Sequence, residues 1–301
     1  MPFTLSGNSV HRTDDGVNEA NGKEYSMDHQ LLHIFGNNPL GRETLLQSIY
    51  FCKKAGAFPV IYIPKTTKFL MYFDNDVVQV DLDNSYLDSA DTAEAHAAEI
   101  LTQAGLEPRF LEPKHYTAST LPDIHTGFNY MCCPRSISDM SSKIGIGYIG
   151  PRVRRIVKSA RFPVLIASPV FKPWNSIAVF FGGSVNAVKA LRMGFHIARV
   201  SGLSLEVFTQ TGKSSKEDYQ ELVKEKNLEE NMNRYVTQWH FFENHHFEDH
   251  LYDVPHDALV ILGAYGHGVI KDMVVGSKWE ILQATIGNNL LVVGPNFAAW
   301  R

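Results

Sequence analysis

Past about residue 28 the chain repeats one pattern: a short apolar run, a turn, then an amphipathic segment. Apolar runs bounded by turn residues suit strands buried on both faces. A three-to-four spacing of apolar positions suits helices packed on them, so the alternation predicts βα units around a parallel sheet. Strands are predicted near 30–36, 58–64, 107–113, 128–133 and 163–168 in the first half, with a helix near 92–103. In the second half they fall near 176–182, 203–209, 236–242, 257–263 and 289–294, with helices near 184–201, 215–227, 247–253 and 277–286. Ser214 and Glu217 form a plausible capping box for the second of these helices.

The pattern occurs twice. A shift of 146 lays Leu31–Asn38 on Ile177–Ser184 and holds without a gap to Ala55-Gly56 on Ser201-Gly202. Within it, the helical face Leu45, Ile49, Cys52 falls on Leu191, Phe195, Ala198. A shift of 126 lays Gly150-Pro151-Arg152 on Gly276-Ser277-Lys278, and Val164–Phe171 on Leu290–Phe297. The first copy therefore carries 146 − 126 = 20 extra residues in its middle. Two matches in one order argue a tandem duplication; chance similarity of two βα folds is the alternative. The reading is an α/β chain of two tandem doubly wound domains, each a five-stranded parallel sheet flanked by helices. It divides into an arm at 1–28 and domains at 29–170 and 174–301, with Pro169 and Pro173 bracketing a linker.

Composition narrows the function classes. The arm is polar, with Asp14-Asp15-Gly16 and Asn18–Gly22, and reads as extended or disordered. Lys+Arg 28 against Asp+Glu 32 gives a net charge of −4, which argues against nucleic acid or an anionic membrane surface as partner. No apolar run approaches the ~20 residues of a membrane helix, and the first residues lack a signal-peptide pattern. Three cysteines without Cys-x-x-Cys spacing suit reduced thiols in the cytoplasm.

The most specific stretch is Gly263-Ala264-Tyr265-Gly266, then nine residues, then Gly276-Ser277. It follows an apolar strand and precedes a predicted helix. Glycines allow close approach of backbone to a phosphate, and a helix N-terminus holds the anion. This Gly-x2-Gly-x9-Gly-Ser pattern, with the last strand Leu290–Val293, resembles the nucleotide-binding motif of the universal stress protein family. The resemblance runs over almost the whole chain past the arm.

What it implies is a tandem universal stress protein, each domain of the adenine nucleotide alpha hydrolase-like fold, acting in the stress response. ATP, with its associated magnesium, would lie over the carboxyl ends of the strands. Gly263, Gly266, Gly276 and Ser277, with Lys278 beside them, would meet phosphates and ribose, and the adenine would lie near Phe208 and Thr209. The family tends to carry an Asp at the end of the first strand; here that position is Gly182, which removes a carboxylate from the nucleotide's surroundings. No catalytic residue is implied, and weak ATPase activity is the most an enzyme reading would hold. The family also implies a homodimer or an intramolecular domain pair, joined through the last strands Val164–Ala167 and Leu290–Val293. The contrasting reading is an interaction module with vestigial sites.

The first copy departs further. Pro151 replaces the hydroxyl residue after Gly150, and Cys133 and Ser136 stand where the loop glycines would be. Thirteen residues instead of nine then lead to Gly150. Arg152, Arg154, Arg155 and Lys158 make the following helix basic, able to attract an anion or simply to face solvent. Gly212-Lys213-Ser214 lacks the earlier glycine of a P-loop. His240, His245, His246, His250 and His256 cluster without a partnering Cys and read as polar loop and surface residues, not a metal site.

Overall fold

The computed structural model describes residues 29–74, 76–114, 120–135, 150–211, 214–243, 247–265 and 287–298. The first half begins with β1 (His29–Ile34), α1 (Pro39–Ala55) and β2 (Ala57–Tyr62). A hairpin follows, β3 (Lys68–Phe73) and β4 (Asp76–Asp81), then α2 (Ala90–Gln103), β5 (Asp123–His125) and β6 (Tyr130–Cys133). The half closes with α3 (Pro151–Ser159) and β7 (Val164–Ile166). The second half runs β8 (Ser176–Phe180), α4 (Val185–Ser201), β9 (Leu205–Gln210), α5 (Lys216–Glu225), α6 (Glu229–Tyr235), β10 (Val236–Phe242), β11 (Ala258–Gly263) and β12 (Leu290–Val293).

One nine-stranded sheet passes through both halves in the order β10-β9-β8-β11-β12-β7-β6-β1-β2. Within this sheet the strands of each half are parallel, and β12 meets β7 antiparallel, with Leu291 opposite Leu165. The second half follows the doubly wound strand order 3-2-1-4-5 around β8, while the first half, expected to hold five strands, places four described strands in this sheet, in the order 5-4-1-2 around β1. The apolar last strands, which would be exposed edges in isolated halves, cover each other.

The shared core matches the sequence repeat closely. Helix α1 lies at 39–55 and α4 at 185–201, the full 146 shift. Asn38 caps α1 by accepting from Gly41 N–H, and Ser184 caps α4 by accepting from Ala187 N–H. Both helices end at a glycine in the left-handed region, Gly56 (φ 65°) and Gly202 (φ 71°), where a side chain would be strained. Helices α2 and α5 start at 90 and 216, related by the 126 shift. The twenty extra residues thus lie between β2 and α2, where they form the β3–β4 hairpin and the 3-10 turn Asn84–Tyr86.

Both sheet faces are buried in alternation, as a covered parallel sheet requires. Leu32, Ile34, Val164, Val260 and Val292 belong to one core cluster, while Leu31, Leu165, Val179, Ile261 and Leu291 belong to the other. Helices α1 and α4 cover the second face; α3 and the hairpin cover much of the first. The linker is pinned: Phe171 N–H donates to Glu43 Oε2 (2.8 Å), Lys172 N–H to Gln47 Oε1 (3.0 Å), and Tyr50 Oη–H to the Trp174 carbonyl (2.6 Å).

Several expectations need correction. The strand placed at 107–113 reduces to a single bridge between Phe110 and Ile61. Pro108 and Pro113 remove backbone donors on either side, so no longer ladder forms. The α5 capping box is made by Ser215 and Asp218, one residue beyond the predicted pair; Ser215 N–H donates to Asp218 Oδ2 (2.7 Å). The segment 247–253 is a 3-10 helix. The sheet β4-β3-β5 and helix α6 were not foreseen. The predicted helix at 277–286 and the arm at 1–28 lie outside the described residues.

Candidate functional site

In the order 3-2-1-4-5 the crevice opens at the carboxyl ends of the first and fourth strands, where the chain turns to opposite sides of the sheet. In the second half these strands are β8 and β11. After β8 the chain runs Phe181-Gly182-Gly183-Ser184 into α4. Gly183 has φ 75°, a turn that only glycine adopts without strain. Ser184 accepts from Ala187 N–H at 3.1 Å, which caps the helix and fixes its first turn at the cleft.

After β11 the chain runs Gly263-Ala264-Tyr265. A Cβ on Gly263 would lie 2.4 Å from the Asn186 backbone carbonyl and 2.7 Å from Ala187 N. The first turn of α4 packs directly on this strand end, which demands glycine whatever the ligand. The buried Asn186 side chain completes the joint by donating to the Ala264 carbonyl at 2.5 Å. Gly263→Ala is therefore expected to destabilise the fold by about 3 kcal/mol through backbone displacement. Urea denaturation measures this without ligand; a loss under about 0.5 kcal/mol would mean the joint is loose.

Tyr265 adopts φ 57°, uncommon for a residue with a side chain. Its hydroxyl donates to the Arg154 carbonyl of α3 at 2.8 Å, so the loop after β11 is held by the opposite half. Burial pushes the Tyr265 phenol up, which keeps it a neutral donor.

Between these loops and α5 lies a cleft of about 560 Å³, within the size range of small-molecule sites. Gly182, Gly183, Ser184 and Asn186 form one wall, Asp218, Tyr219 and Leu222 another, and Tyr265 a third. Asp218 is the one carboxylate among the described lining residues, and it is already tied to the Ser215 N–H. Val185, exposed at 73%, gives the rim an apolar contact at the first position of α4.

The predicted site residues fall into three groups. Gly182 and Gly263 are brought together at this cleft, Gly182 in its wall and Gly263 beneath the first turn of α4. Thr209 is fully buried at the end of β9, where its hydroxyl donates to the Phe181 carbonyl (2.8 Å) and accepts from Trp239 Nε1 (2.9 Å). Phe208 is buried beside it, stacked on His240. Gly266, Gly276, Ser277 and Lys278 lie outside the described residues. Sequence reasoning missed Asn186, Asp218, Tyr219 and Tyr265. Tyr265 was an unconstrained position inside the glycine pattern, and the others sit on helix starts whose spacing to the loop shows only in three dimensions.

In the first half the register refines the equivalence. Cys133 pairs with Ile166 and Leu262 with Val292, and 166 and 292 differ by 126. Cys133 thus corresponds to Leu262 and Pro134 to Gly263, one residue from the sequence-based match. Gly150 N–H donates to the Arg135 carbonyl (2.9 Å), and Arg135 donates to the Asn288 carbonyl (3.1 Å), so this loop is tied to the other half.

The cysteines Cys52, Cys132 and Cys133 are free and buried; burial pushes the Cys132 thiol up to about 12. Among the described residues no three His, Cys, Asp or Glu side chains group as a metal site. His240 instead approaches Glu206 at 2.6 Å and His250 approaches Asp253 at 3.6 Å; His245 and His246 lie outside the described residues. No described helix is long and apolar enough to cross a membrane.

Solved structures decide the fold. A universal stress protein from Archaeoglobus fulgidus DSM 4304 matches with a TM-score of 0.58 at 13% identity, over 88% of this chain and 98% of its own. The chain has the universal stress protein fold. A protein from Pseudomonas aeruginosa UCBPP-PA14, named as a candidate universal stress protein, matches with a TM-score of 0.51 at 13% identity, over 90% of this chain and 95% of its own. A protein of unknown function from Pseudomonas aeruginosa PAO1 matches equally, with a TM-score of 0.51 at 11% identity, over 90% of this chain and 94% of its own. At this coverage the universal stress protein fold extends through both halves. No protein-family profile and no curated protein matches the sequence.

Proposed function

We propose that the chain is a tandem universal stress protein that binds one adenine nucleotide, in its second half, as part of a stress response in the cytoplasm. The observation that carries this is the open cleft at the ends of β8 and β11. Its second loop starts the Gly263-x2-Gly266-x9-Gly276-Ser277 pattern. In this reading the base and ribose enter the cleft beside Gly182, Gly183 and Tyr219. Backbone N–H groups of the glycine pattern hold the phosphates, with Ser277 adding a hydroxyl and Lys278 a charge. Magnesium would travel with the nucleotide. Asp218, held by the α5 cap, is the carboxylate of the described lining that would serve it.

The chemistry this supports is binding. Gly182 presents no carboxylate where the family tends to carry one, and Asp218, the one carboxylate of the described lining, is tied to the Ser215 N–H. That same Gly182 favours a second reading, an interaction module whose site is vestigial. Calorimetric titration of ATP into wild type, Gly276→Val and Gly150→Val separates them. One nucleotide per chain is expected for wild type, retained in Gly150→Val and reduced at least 100-fold in affinity by Gly276→Val. Equal loss from both variants would place the site wrongly, and no binding by wild type favours the interaction module.

A further inference from the structure

The halves differ most at their carboxyl-end clefts. By the two shifts, Gly36, Asn37 and Asn38 correspond to Gly182, Gly183 and Ser184, and Thr92 and His96 to Asp218 and Leu222. In the second half these walls enclose an open cleft. In the first half the twenty-residue insertion lies against them. The Tyr86 ring comes within 3.0 Å of where a Cβ on Gly36 would stand. Asn38 Nδ2 donates to the Ser85 carbonyl and hydroxyl, both at 3.3 Å. Asn37 Nδ2 donates to the Ser89 carbonyl (3.1 Å) and to Thr92 Oγ1 (2.9 Å), and its Oδ1 lies 2.7 Å from His96 Nδ1.

The insertion is clamped on its other side by charge. Arg152 pairs with Asp81 at 2.5 Å and donates to its carbonyl at 2.8 Å. Arg155 pairs with Asp76 at 2.9 Å, Ser159 donates to the same carboxylate at 2.7 Å, and Arg161 pairs with Asp74. The basic stretch of α3 and the turn after it thus holds an anion supplied by the chain itself. Helix α3 follows Gly150, as the helix predicted in the second half follows Gly276.

We propose that residues 64–74 and 76–89 are a built-in occupant of the first half's cleft, so that the chain carries one open and one latent site for the same ligand class. Ser85 and Tyr86 fill the space beside Gly36 and Asn38. Asp81 pairs with Arg152 in the first turn of α3, the place of Lys278 by the 126 shift, while Asp76 and Asp74 hold the hairpin further along, on Arg155, Ser159 and Arg161. The ligand class rests on the reading in the preceding subsection; the occupancy does not. A tethered occupant outcompetes a free ligand through its high effective concentration, so binding appears only when its contacts are weakened. Phe69, Met71, Val78 and Val80 keep the hairpin in the core, but the contacts nearest the cleft include partly exposed ion pairs, and removing charge weakens these without touching that core.

Two variants of the full chain test this by calorimetric ATP titration. Tyr86→Gly removes the ring, and Asp76→Asn with Asp81→Asn removes two charges while leaving every ring in place. The expected result is a rise from one to two nucleotides per chain, the second site tenfold or more weaker. A rise from none to one would uphold the latent site while refuting the proposed second-half site. An unchanged count in the double asparagine variant, with native circular dichroism, would overturn the proposal, whether that count is one or none.

Discussion

A single charge in the seam between the halves is expected to unfold both. Leu165 and Leu291 face each other across β7 and β12, both fully buried in one core cluster. Leu291→Asp removes a packed side chain, a loss of about 2–5 kcal/mol for a comparable truncation. It also buries a carboxylate without a partner, adding several kcal/mol unless the group protonates. The total is comparable with the whole stability of a typical domain, about 5–15 kcal/mol. Because the sheet and both face clusters run through the seam, the loss is shared. Urea denaturation followed by circular dichroism should show both halves losing structure together. A variant in which half the signal keeps its native midpoint would show that the halves fold independently.

Acid is expected to destabilise the protein through His33. This side chain is 1% exposed between β1 and α1, its Nδ1 2.8 Å from Ser48 Oγ. Burial pushes its pKa down to about 3. Above pH 6.5 the imidazole is neutral in folded and unfolded chains alike, and stability does not depend on it. Below pH 6.5 the unfolded chain takes up a proton that the folded chain refuses until about pH 3, so stability falls as pH falls. The slope is about 1.4 kcal/mol per pH unit, or about 2.7 kcal/mol between pH 6.5 and 4.5. His196, pushed to about 4 by burial with Arg199 and His29 nearby, has the same sign. The second half shows how to remove the effect: Val179 stands in the place of His33 and Gly194 in that of Ser48. A Cβ on Gly194 would meet Val179 Cγ2 at 2.5 Å, so valine and glycine go together there. The double variant His33→Val, Ser48→Gly should make the acid side of the stability profile measured by guanidinium denaturation shallower, leaving the part that His196 contributes. An unchanged acid slope would contradict the assignment.

What the sequence showed of the fold was what occurs twice. Helices α1 and α4 carry their caps, glycine stops and apolar faces at one shift, and α2 and α5 start at the other, so each copy supports the other. The insertion had no second copy to support it. Yet its alternation is readable afterwards: Phe69, Met71 and Phe73 are buried on β3, and Val78 and Val80 on β4. Helix α6 was missed because Asn227, at φ 54°, turns the chain out of α5 and restarts it. The basic residues of α3 were visible as a cluster, but their aspartate partners lie some 70 to 90 positions away and only the fold unites them.

At the candidate site, the glycine pattern begins at the strand end beside which the cleft opens. It did not distinguish a glycine needed for a ligand from one needed for packing. Gly263 answers to the first turn of α4, a contact between residues 77 positions apart that no local spacing reveals.

The central claim, one open nucleotide site in the second half beside a filled one in the first, is tested most directly by hydrogen–deuterium exchange of the full chain with and without saturating ATP. Exchange reports protection segment by segment. The account predicts ATP-dependent protection at 182–187 and 263–278, and none at 36–41. Protection at 36–41, or no protection anywhere at saturating ATP, would contradict it.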